Sequence, residues 1–222
     1  IHSPDCPVAT IQANLAALQP LAANGKITGV SYSGTVMNLT AAELGANAEL
    51  LLRMSTGFTI NLTDGGTPTV TLQEWQFAGN IATLLNRISS PYTLAINGPI
   101  RPQRVSTLVA AGSTIYNKLA PDALVIRDYP TNFRGRLDDI LTLVNAGKVA
   151  SIDTRGGQPP FSLNDGEQTT HAAVLAKINT PYTLSKYITV AQIAGATLAA
   201  PFQSFTVYDS VANVLAGLSQ VQ

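Results

Sequence analysis

Recurring segments are the feature of this sequence that most restricts what the chain can fold into. The stretch Ser89–Leu94 reads SSPYTL, and NTPYTL follows 90 positions later at Asn179–Leu184. Both stretches come directly after an apolar run with helical character, Ile81–Ile88 in the first case and Ala172–Ile178 in the second. Self-similarity at a regular interval is typical of chains built from repeated supersecondary units. The sequence therefore predicts a fold made of copies of one unit.

Three further echoes of the same kind run through the chain. They pair Gly65–Pro68 with Gly156–Pro159, Asn24–Ile27 with Ala146–Val149, and the set Asp128, Asn132 and Leu137 with the set Asp209, Asn213 and Leu218. The last two sets have identical internal spacing and lie 81 positions apart. Because the echoes join distant parts of the sequence, we expect one helix-then-strand unit to be used about seven times over the whole chain.

Seven segments between the helical patterns have the character of strands. They are Ile27–Tyr32, Phe58–Thr63, Tyr92–Asn97, Ala123–Asp128, Val149–Asp153, Tyr182–Lys186 and Phe205–Asp209. Apolar and polar residues alternate in several of them, and a period of two indicates a strand buried on one face. The side chains expected to be buried are Phe58, Ile60, Leu62, Tyr92, Leu94, Ile96, Leu184 and Val207.

Helix starts give independent support for this division of the chain. A capping box pairs Ser, Thr or Asn with Glu or Gln three residues later, because each side chain accepts the other residue's free backbone amide. The predicted boxes are Thr40 with Glu43, Thr71 with Glu74, Asn164 with Glu167, and Thr189 with Gln192. At Pro102 we expect the first position of another helix, where the missing amide costs nothing.

Strands that alternate with helices, without hairpin signals between them, favour parallel neighbours. We therefore predict a single domain over residues 1–222, a right-handed α/β solenoid of about seven helix–strand units. Its strands would form one parallel sheet with the helices on one side, as in leucine-rich-repeat proteins, although the leucine-rich consensus is absent. The main competing fold is a doubly wound open sheet. That fold needs strands that are apolar on both faces, whereas alternate strand positions here are polar.

Composition removes several classes of function. Only 12% of the residues are charged, and 13 basic residues balance 13 acidic ones, so we expect no nucleic-acid partner. The apolar residues come in short blocks, too short for a membrane span. A single cysteine, Cys6, and two histidines, His2 and His171, exclude an internal disulfide and leave few schemes for a metal or a catalytic triad. We expect no catalytic residue, no cofactor and no metal.

Individual candidate residues have ordinary structural roles in this interpretation. His171 lies near Asp165 and Glu167, but its place in the first turns of a helix indicates a solvated residue, and changing it to Ala should leave folding and function untouched. Asp138 and Asp139 are adjacent, so they point to different helix faces and do not form a catalytic carboxylate pair.

Two further features leave their alternatives open. Cys6 aligns with the Asp of the repeated set, the position that Asp128 and Asp209 occupy in the other copies. This alignment predicts a buried or lost cap position for Cys6, with an intermolecular role as the alternative. The basic residues concentrate at Arg101, Arg104, Arg127, Arg134 and Arg136. They are either solvated and paired with Asp122, Asp128 or Asp138, or a patch for an anionic ligand.

The run Val207–Leu218 reads VYDSVANVLAGL. It resembles the V-x-D-S-x-A-N-V-x-x-x-L repeat of very large secreted or surface repeat proteins of proteobacteria. A Gly-Lys-Ile/Val strand typically follows that repeat, and Gly25–Ile27 and Gly147–Val149 match it; Pro181–Leu184 matches another recurring segment. The resemblance implies export and a structural, adhesive or matrix role, with no catalytic residues to carry over.

Two classes of function remain. In the first, the chain is a non-catalytic extracellular structural protein that assembles with itself, head to tail, into a filament or a surface layer. The apolar residues Val214, Leu215, Leu218 and Val221 would cover the last coil, while the edge of the last strand stays open. The contact would join Phe205–Gln222 of one copy to Ile1–Tyr32 of the next.

In the second class, the chain is an adhesin-like module that binds a glycan or a host protein. Its binding surface would be the polar face of the sheet, formed by Asn61, Asn97, Arg127, Asp153, Ser185 and Tyr208. Concave faces of repeat proteins often bind partners in this way. Both classes predict a secreted or cell-surface location.

Overall fold

The computed structural model describes residues 6–55, 57–77, 80–155, 160–198 and 201–217. Its strands are β1 (Val36–Leu39), β2 (Thr59–Leu62), β3 (Thr69–Gln73), β4 (Thr93–Asn97), β5 (Leu124–Arg127), β6 (Val149–Asp153), β7 (Phe161–Leu163), β8 (Leu184–Ile188) and β9 (Phe202–Val207). Its α-helices are α1 (Val8–Ala13), α2 (Leu15–Ala23), α3 (Ala41–Ala46), α4 (Ala48–Arg53), α5 (Ile81–Leu85), α6 (Pro102–Ala110), α7 (Ser113–Tyr116), α8 (Pro130–Phe133), α9 (Leu137–Asn145), α10 (Asp165–Thr170), α11 (Ala172–Leu175) and α12 (Val211–Ala216). Two 3₁₀ helices span Glu74–Phe77 and Val190–Gly195. The class is mixed α/β.

The strands pair in parallel, but in the described residues they form four small sheets. β1 pairs with β2, β3 with β4, and β5 with β6, while β7, β8 and β9 form a three-stranded sheet in that order. The predicted solenoid with one continuous parallel sheet is therefore wrong, and so is the leucine-rich-repeat layout. The parallel direction of the pairing is as predicted.

A helix packed on a strand edge is one physical reason why the sheet is interrupted. The backbone of Gly45 in α3 lies so close to β3 that a Cβ atom at this position would be 2.3 Å from the carbonyl oxygen of Thr71. Gln76 adds a hydrogen bond from its Nε2 to the carbonyl oxygen of Gly45, at 3.0 Å. α3 therefore lies against β3, and β3 pairs with β4 alone.

The strand predictions also missed three partner strands, each of which precedes a helix or a 3₁₀ helix. β1, β3 and β7 are not among the seven predicted segments, although each pairs with one of them. Conversely, the predicted strand Ile27–Tyr32 is reduced to an isolated bridge between Val30 and Met54. Thr71 lies within β3, so its predicted capping box with Glu74 is wrong.

The other helix starts are confirmed. Complete capping boxes are present at Thr40 with Glu43, Asn164 with Glu167, and Thr189 with Gln192. Pro102 is the first residue of α6. These short signals succeed because a cap depends on residues only three positions apart, and not on the tertiary packing.

The repeated segments adopt the same backbone hydrogen bonds. The amide of Ile60 donates to the carbonyl of Arg87, and the amide of Ser89 donates back to the carbonyl of Ile60. Ile152 makes the corresponding two bonds in the second copy. Its amide donates to the carbonyl of Lys177, and its carbonyl accepts from the amide of Asn179. The echo of SSPYTL and NTPYTL thus reflects a real structural equivalence. The echo at Gly156–Pro159 lies outside the described residues.

The apolar side of the strands faces a buried core, as predicted. Phe58, Ile60, Leu62, Tyr92, Leu94 and Leu184 are buried, whereas Ile96 and Val207 are only partly buried. Aromatic rings continue this core between neighbouring elements: Phe133 of α8 and Phe161 of β7 have ring centroids 5.6 Å apart. The period of two therefore assigns the inner face correctly, even though the strands belong to separate sheets.

Candidate functional site

The polar residues predicted to form one binding face are distributed over the separate sheets. Asn61 lies opposite Asn38 across β1 and β2, and its Nδ2 donates to the Asn38 Oδ1 at 2.9 Å. Asn97 lies opposite Gln73 across β3 and β4, and its Nδ2 donates to the Gln73 Oε1 at 3.2 Å. Each amide is thus satisfied by a neighbour within its own sheet.

Arg127 and Asp153 are the two predicted residues that the structure brings together within the described chain. They lie opposite each other across β5 and β6, with the Arg127 Nε 2.6 Å from the Asp153 Oδ2. The Asp153 Oδ1 accepts the backbone amide of Arg155 at 2.9 Å. This backbone hydrogen bond, followed by the Arg127 hydrogen bond and charge, holds the pKa of Asp153 below its ordinary value.

Ser185 and Tyr208 have opposite environments. Ser185 is fully buried in β8, where its hydroxyl is 2.6 Å from that of Thr206, so it cannot face a ligand in this structure. Tyr208 is 70% exposed, and its ring meets that of Tyr187 edge to face at 5.9 Å between centroids. Arg134 lies over the Tyr187 ring at 3.9 Å from the centroid.

His171 is buried, and the prediction of a solvated residue is wrong. Its side chain lies between α10 and α11 and is only 6% exposed. The Nδ1 atom is 2.8 Å from the carbonyl oxygen of Glu167, and Nε2 is 2.9 Å from the Asp138 Oδ1. Sequence reasoning missed this because the partner, Asp138, is 33 positions away on α9. The histidine therefore joins two helical segments.

The other candidate residues take structural positions. Asp139 accepts a hydrogen bond from the hydroxyl of Ser106 on α6, so the two adjacent carboxylates serve different neighbours, as predicted. Cys6 is half-buried and packs at the margin of the core, while His2 lies outside the described residues. Among the residues that the structure describes, no three His, Cys, Asp or Glu side chains are grouped so that they could hold a metal ion.

Four of the five arginines in the predicted concentration divide into three groups, and no ion pair of Arg136 is seen in the described residues. Arg101 and Arg104 share the carboxylate of Glu74, at 3.2 and 3.8 Å from their Nε atoms, and they line a cleft together with Arg155. Arg127 pairs with Asp153, and Arg134 stacks on Tyr187. The predicted pairing with Asp122, Asp128 or Asp138 is not seen in the described residues, where Asp122 pairs with Lys177. Sequence reasoning missed Arg155 because its place in the cleft depends on tertiary folding.

Exposed apolar side chains concentrate near the end of the described chain. We call these side chains the C-terminal apolar surface. They are Phe205 on β9, Tyr208 between β9 and α12, and Val211 and Leu215 on α12. Leu215 is 62% exposed, so its predicted role in covering the last coil is wrong; Leu218 and Val221 lie outside the described residues. β9 is the outer strand of its sheet in the described residues, consistent with the predicted open edge.

The Asp/Asn motif has the same geometry in both copies. The Nδ2 of Asn132 donates to the Asp128 Oδ1 at 2.8 Å, and that of Asn213 donates to the Asp209 Oδ1 at 2.6 Å. The hydrogen bond from Asn213 lowers the pKa of Asp209 most, and the backbone amides of Ser210 and Val190 lower it further. The motif therefore closes the turn from a strand into a helix in each copy.

The surroundings of the two motif copies differ. Pro130 is buried in the internal copy, whereas Val211, the corresponding residue 81 positions later, is 75% exposed. Phe133 is fully buried against Phe161, whereas Val214 in the second copy is only half-buried. A surface that the fold covers in one copy is therefore open in the other.

No helix in the described residues is long and apolar enough to cross a membrane. No protein-family model, curated protein or solved structure matches this chain.

Proposed function

We propose that the chain is a non-catalytic structural unit that associates with further copies of itself through the C-terminal apolar surface. The observation that carries the proposal is the exposure of Val211 at the position where the internal motif has the buried Pro130. Apolar surface left in water costs roughly 25 cal/mol per Å² relative to burial. A partner that covers this surface therefore gains a free energy of burial, as the internal copy does through packing within the chain.

The internal copy also indicates what kind of partner fits. There, Phe133 is covered by Phe161, an aromatic residue of the next sheet along the chain. The corresponding surface of the second copy is therefore suited to an apolar segment. A second copy of this chain offers Leu21 and Val36, large apolar side chains exposed on its N-terminal elements.

The edge of β9 supports the same arrangement. An outer strand leaves backbone amides and carbonyls without a neighbouring strand, and such an edge favours pairing with another chain. A contact between the C-terminal apolar surface of one copy and the N-terminal elements of the next joins two different surfaces. Such a head-to-tail contact does not close on itself unless the geometry makes a ring, so filaments are the expected product. The resemblance of Val207–Leu218 to the repeat of secreted proteins supports a location outside the cell for this assembly.

Sedimentation velocity over a range of protein concentrations tests the proposal. The unmodified chain should shift to larger species as its concentration rises. The double variant Val211→Lys and Leu215→Lys should remain monomeric, because both side chains are exposed and the added charges oppose burial in a contact. The matched control is Trp75→Gln, which changes an apolar side chain exposed in the middle of the chain.

Circular dichroism should show that the double variant and the control keep the fold of the unmodified chain. A chain that stays monomeric at all concentrations contradicts the proposal, and so does a double variant that assembles normally. The binding-module alternative then takes precedence. It is favoured by the exposed Tyr208, whose ring, with Tyr187 and Arg134, offers an aromatic surface for a glycan or a host protein.

A further inference from the structure

A cleft of about 720 Å³ opens beside the start of α6 and has a basic lining. Its walls include Arg101, Gln103, Arg104, Tyr129, Asn132 and Arg155. A volume of this size is within the range of cavities that hold small ligands. The cleft is separate from the C-terminal apolar surface, and no residue of that surface lines it.

The acidic groups near the cleft are already engaged. Glu74 lies between Arg101 and Arg104 and holds both guanidinium groups in place. Asp128 also lines the cleft, but its Oδ1 accepts the amide of Tyr129 and the Nδ2 of Asn132, each at 2.8 Å. A third carboxylate, that of Asp153, lies beside Arg155 and pairs with Arg127 at 2.6 Å. Four arginines therefore stand against three carboxylates, so the surroundings of the cleft carry a net positive charge in a chain whose total charge is zero.

Arg155 is held toward the cleft by a backbone conformation that side chains rarely adopt. Its φ is +51°, and among the described residues Asp122 is the other non-glycine with a positive φ. The Asp153 Oδ1 stabilises this turn by accepting the Arg155 amide. The guanidinium carbon then lies 5.5 Å from the centroid of the Tyr129 ring. Such strain is retained where the surrounding structure requires it, and often at functional sites.

We propose that this cleft binds a sugar residue that carries a carboxylate, such as a uronic acid. Planar guanidinium groups bind carboxylates through paired hydrogen bonds, and Arg155 has no carboxylate within ion-pair distance in the described residues. Gln103 is suited to sugar hydroxyls, and so is the Oδ1 of Asn132, which accepts no hydrogen bond from the described residues. The half-exposed Tyr129 ring supplies an apolar wall for the sugar ring.

Chemical-shift titration of the ¹⁵N-labelled full chain tests this proposal. Glucuronate is the probe, glucuronamide is its neutral isostere, and acetate carries the carboxylate without the sugar. We expect saturable shifts at Tyr129, Asn132 and Arg155 with glucuronate. Glucuronamide and acetate should bind at least about tenfold more weakly, a factor that corresponds to about 1.4 kcal/mol.

The variant Arg155→Gly separates binding from folding. Glycine adopts a positive φ without strain, so this variant should keep the melting temperature of the unmodified chain or exceed it. It should nevertheless bind glucuronate at least about tenfold more weakly, because it lacks the guanidinium group. Arg155→Lys keeps the charge and loses the planar guanidinium group. Its affinity for glucuronate should therefore fall between that of the unmodified chain and that of Arg155→Gly. The matched control is Arg53→Gln, which removes an exposed arginine outside the cleft and should bind normally.

Four results overturn the proposal: no saturable shift with glucuronate, equal binding by Arg155→Gly, acetate binding as tightly as glucuronate, or glucuronamide binding as tightly as glucuronate. The third result means that the cleft takes simple anions and does not recognise a sugar. Assembly of the chain is a separate measurement, so either proposal can fail without the other.

Discussion

Replacing His171 with Ala should destabilise the protein by about 2–4 kcal/mol, because this histidine is a buried link between α9 and the α10–α11 pair. The imidazole makes two hydrogen bonds, to the carbonyl oxygen of Glu167 at 2.8 Å and to the Asp138 carboxylate at 2.9 Å.

The two bonds contribute unequally. The bond to the Glu167 carbonyl is shielded and contributes about 1 kcal/mol. That carbonyl also accepts the backbone amide of His171, so it keeps a partner after truncation and adds no further penalty. The side chain of Asp138 is 92% exposed, so water competes for it and its bond contributes less than about 1 kcal/mol. Loss of the buried ring itself adds about 1–2 kcal/mol.

Urea unfolding at pH 7, followed by circular dichroism, measures this loss as a lower midpoint with an unchanged slope. The variant Asp138→Ala is the comparison, since it removes only the exposed partner and should cost less than about 1 kcal/mol. A free energy of unfolding for His171→Ala within about 0.5 kcal/mol of the unmodified value would refute the reasoning, because surface substitutions typically have effects of that size.

Two further predictions test the packing and the burial. Gly45→Ala should lower the free energy of unfolding by about 2–4 kcal/mol in thermal melts, because its Cβ would lie 2.3 Å from the Thr71 carbonyl oxygen. Gly195→Ala, with nothing within 4 Å of its new Cβ, should have little effect, and equal losses in the two variants would contradict the α3–β3 contact. Burial raises the pKa of Tyr92 from 10.0 to about 12, so the folded state retains that proton when the unfolded state has lost it. The resulting stability is complete below pH 10 and falls by up to roughly 3 kcal/mol as the pH rises to 12. Tyr92→Phe should lose correspondingly less, and identical pH profiles would show that the phenol is not shielded.

Features that depend on neighbouring positions could be predicted from the sequence. The capping boxes at Thr40, Asn164 and Thr189 need only a partner three residues away, and all three are present. The alternation at Phe58, Ile60 and Leu62 identifies the buried face, because side chains of a strand alternate between its two sides. The repeat predicted a structural equivalence that the hydrogen bonds of Asp128 and Asp209 display.

The division into separate sheets could not be predicted in this way. At one of the interruptions, α3 lies against β3 through a contact between Gly45 and Thr71 that no local pattern signals. β3 was missed because Thr71 and Glu74 have the spacing of a capping box, so Thr71 was assigned to a helix start. The predicted strand Ile27–Tyr32 has suitable composition, but its segment makes only one bridge.

The candidate sites were predictable in part for the same reason. The alternation of apolar and polar residues predicted that Arg127 and Asp153 lie on the same face. The register of β5 and β6 pairs the two residues directly. Ser185 follows the same rule and is nevertheless buried, because Thr206 of β9 covers it. The role of Arg155 depends on a turn with positive φ, which its side chain does not predict.

Cross-linking between copies tests the head-to-tail association most directly. The chain carries Val211→Cys together with Cys6→Ser, so that position 211 holds its single thiol and a photoactivatable cross-linker attached there. Equal amounts of ¹⁴N- and ¹⁵N-labelled protein are mixed, and mass spectrometry then distinguishes links between copies from links within one. The account predicts mixed-isotope links from position 211 to the N-terminal elements around Leu21 and Val36. Links between copies that join only position 211 to position 211, or no links between copies at concentrations where the chain sediments as larger species, would contradict it.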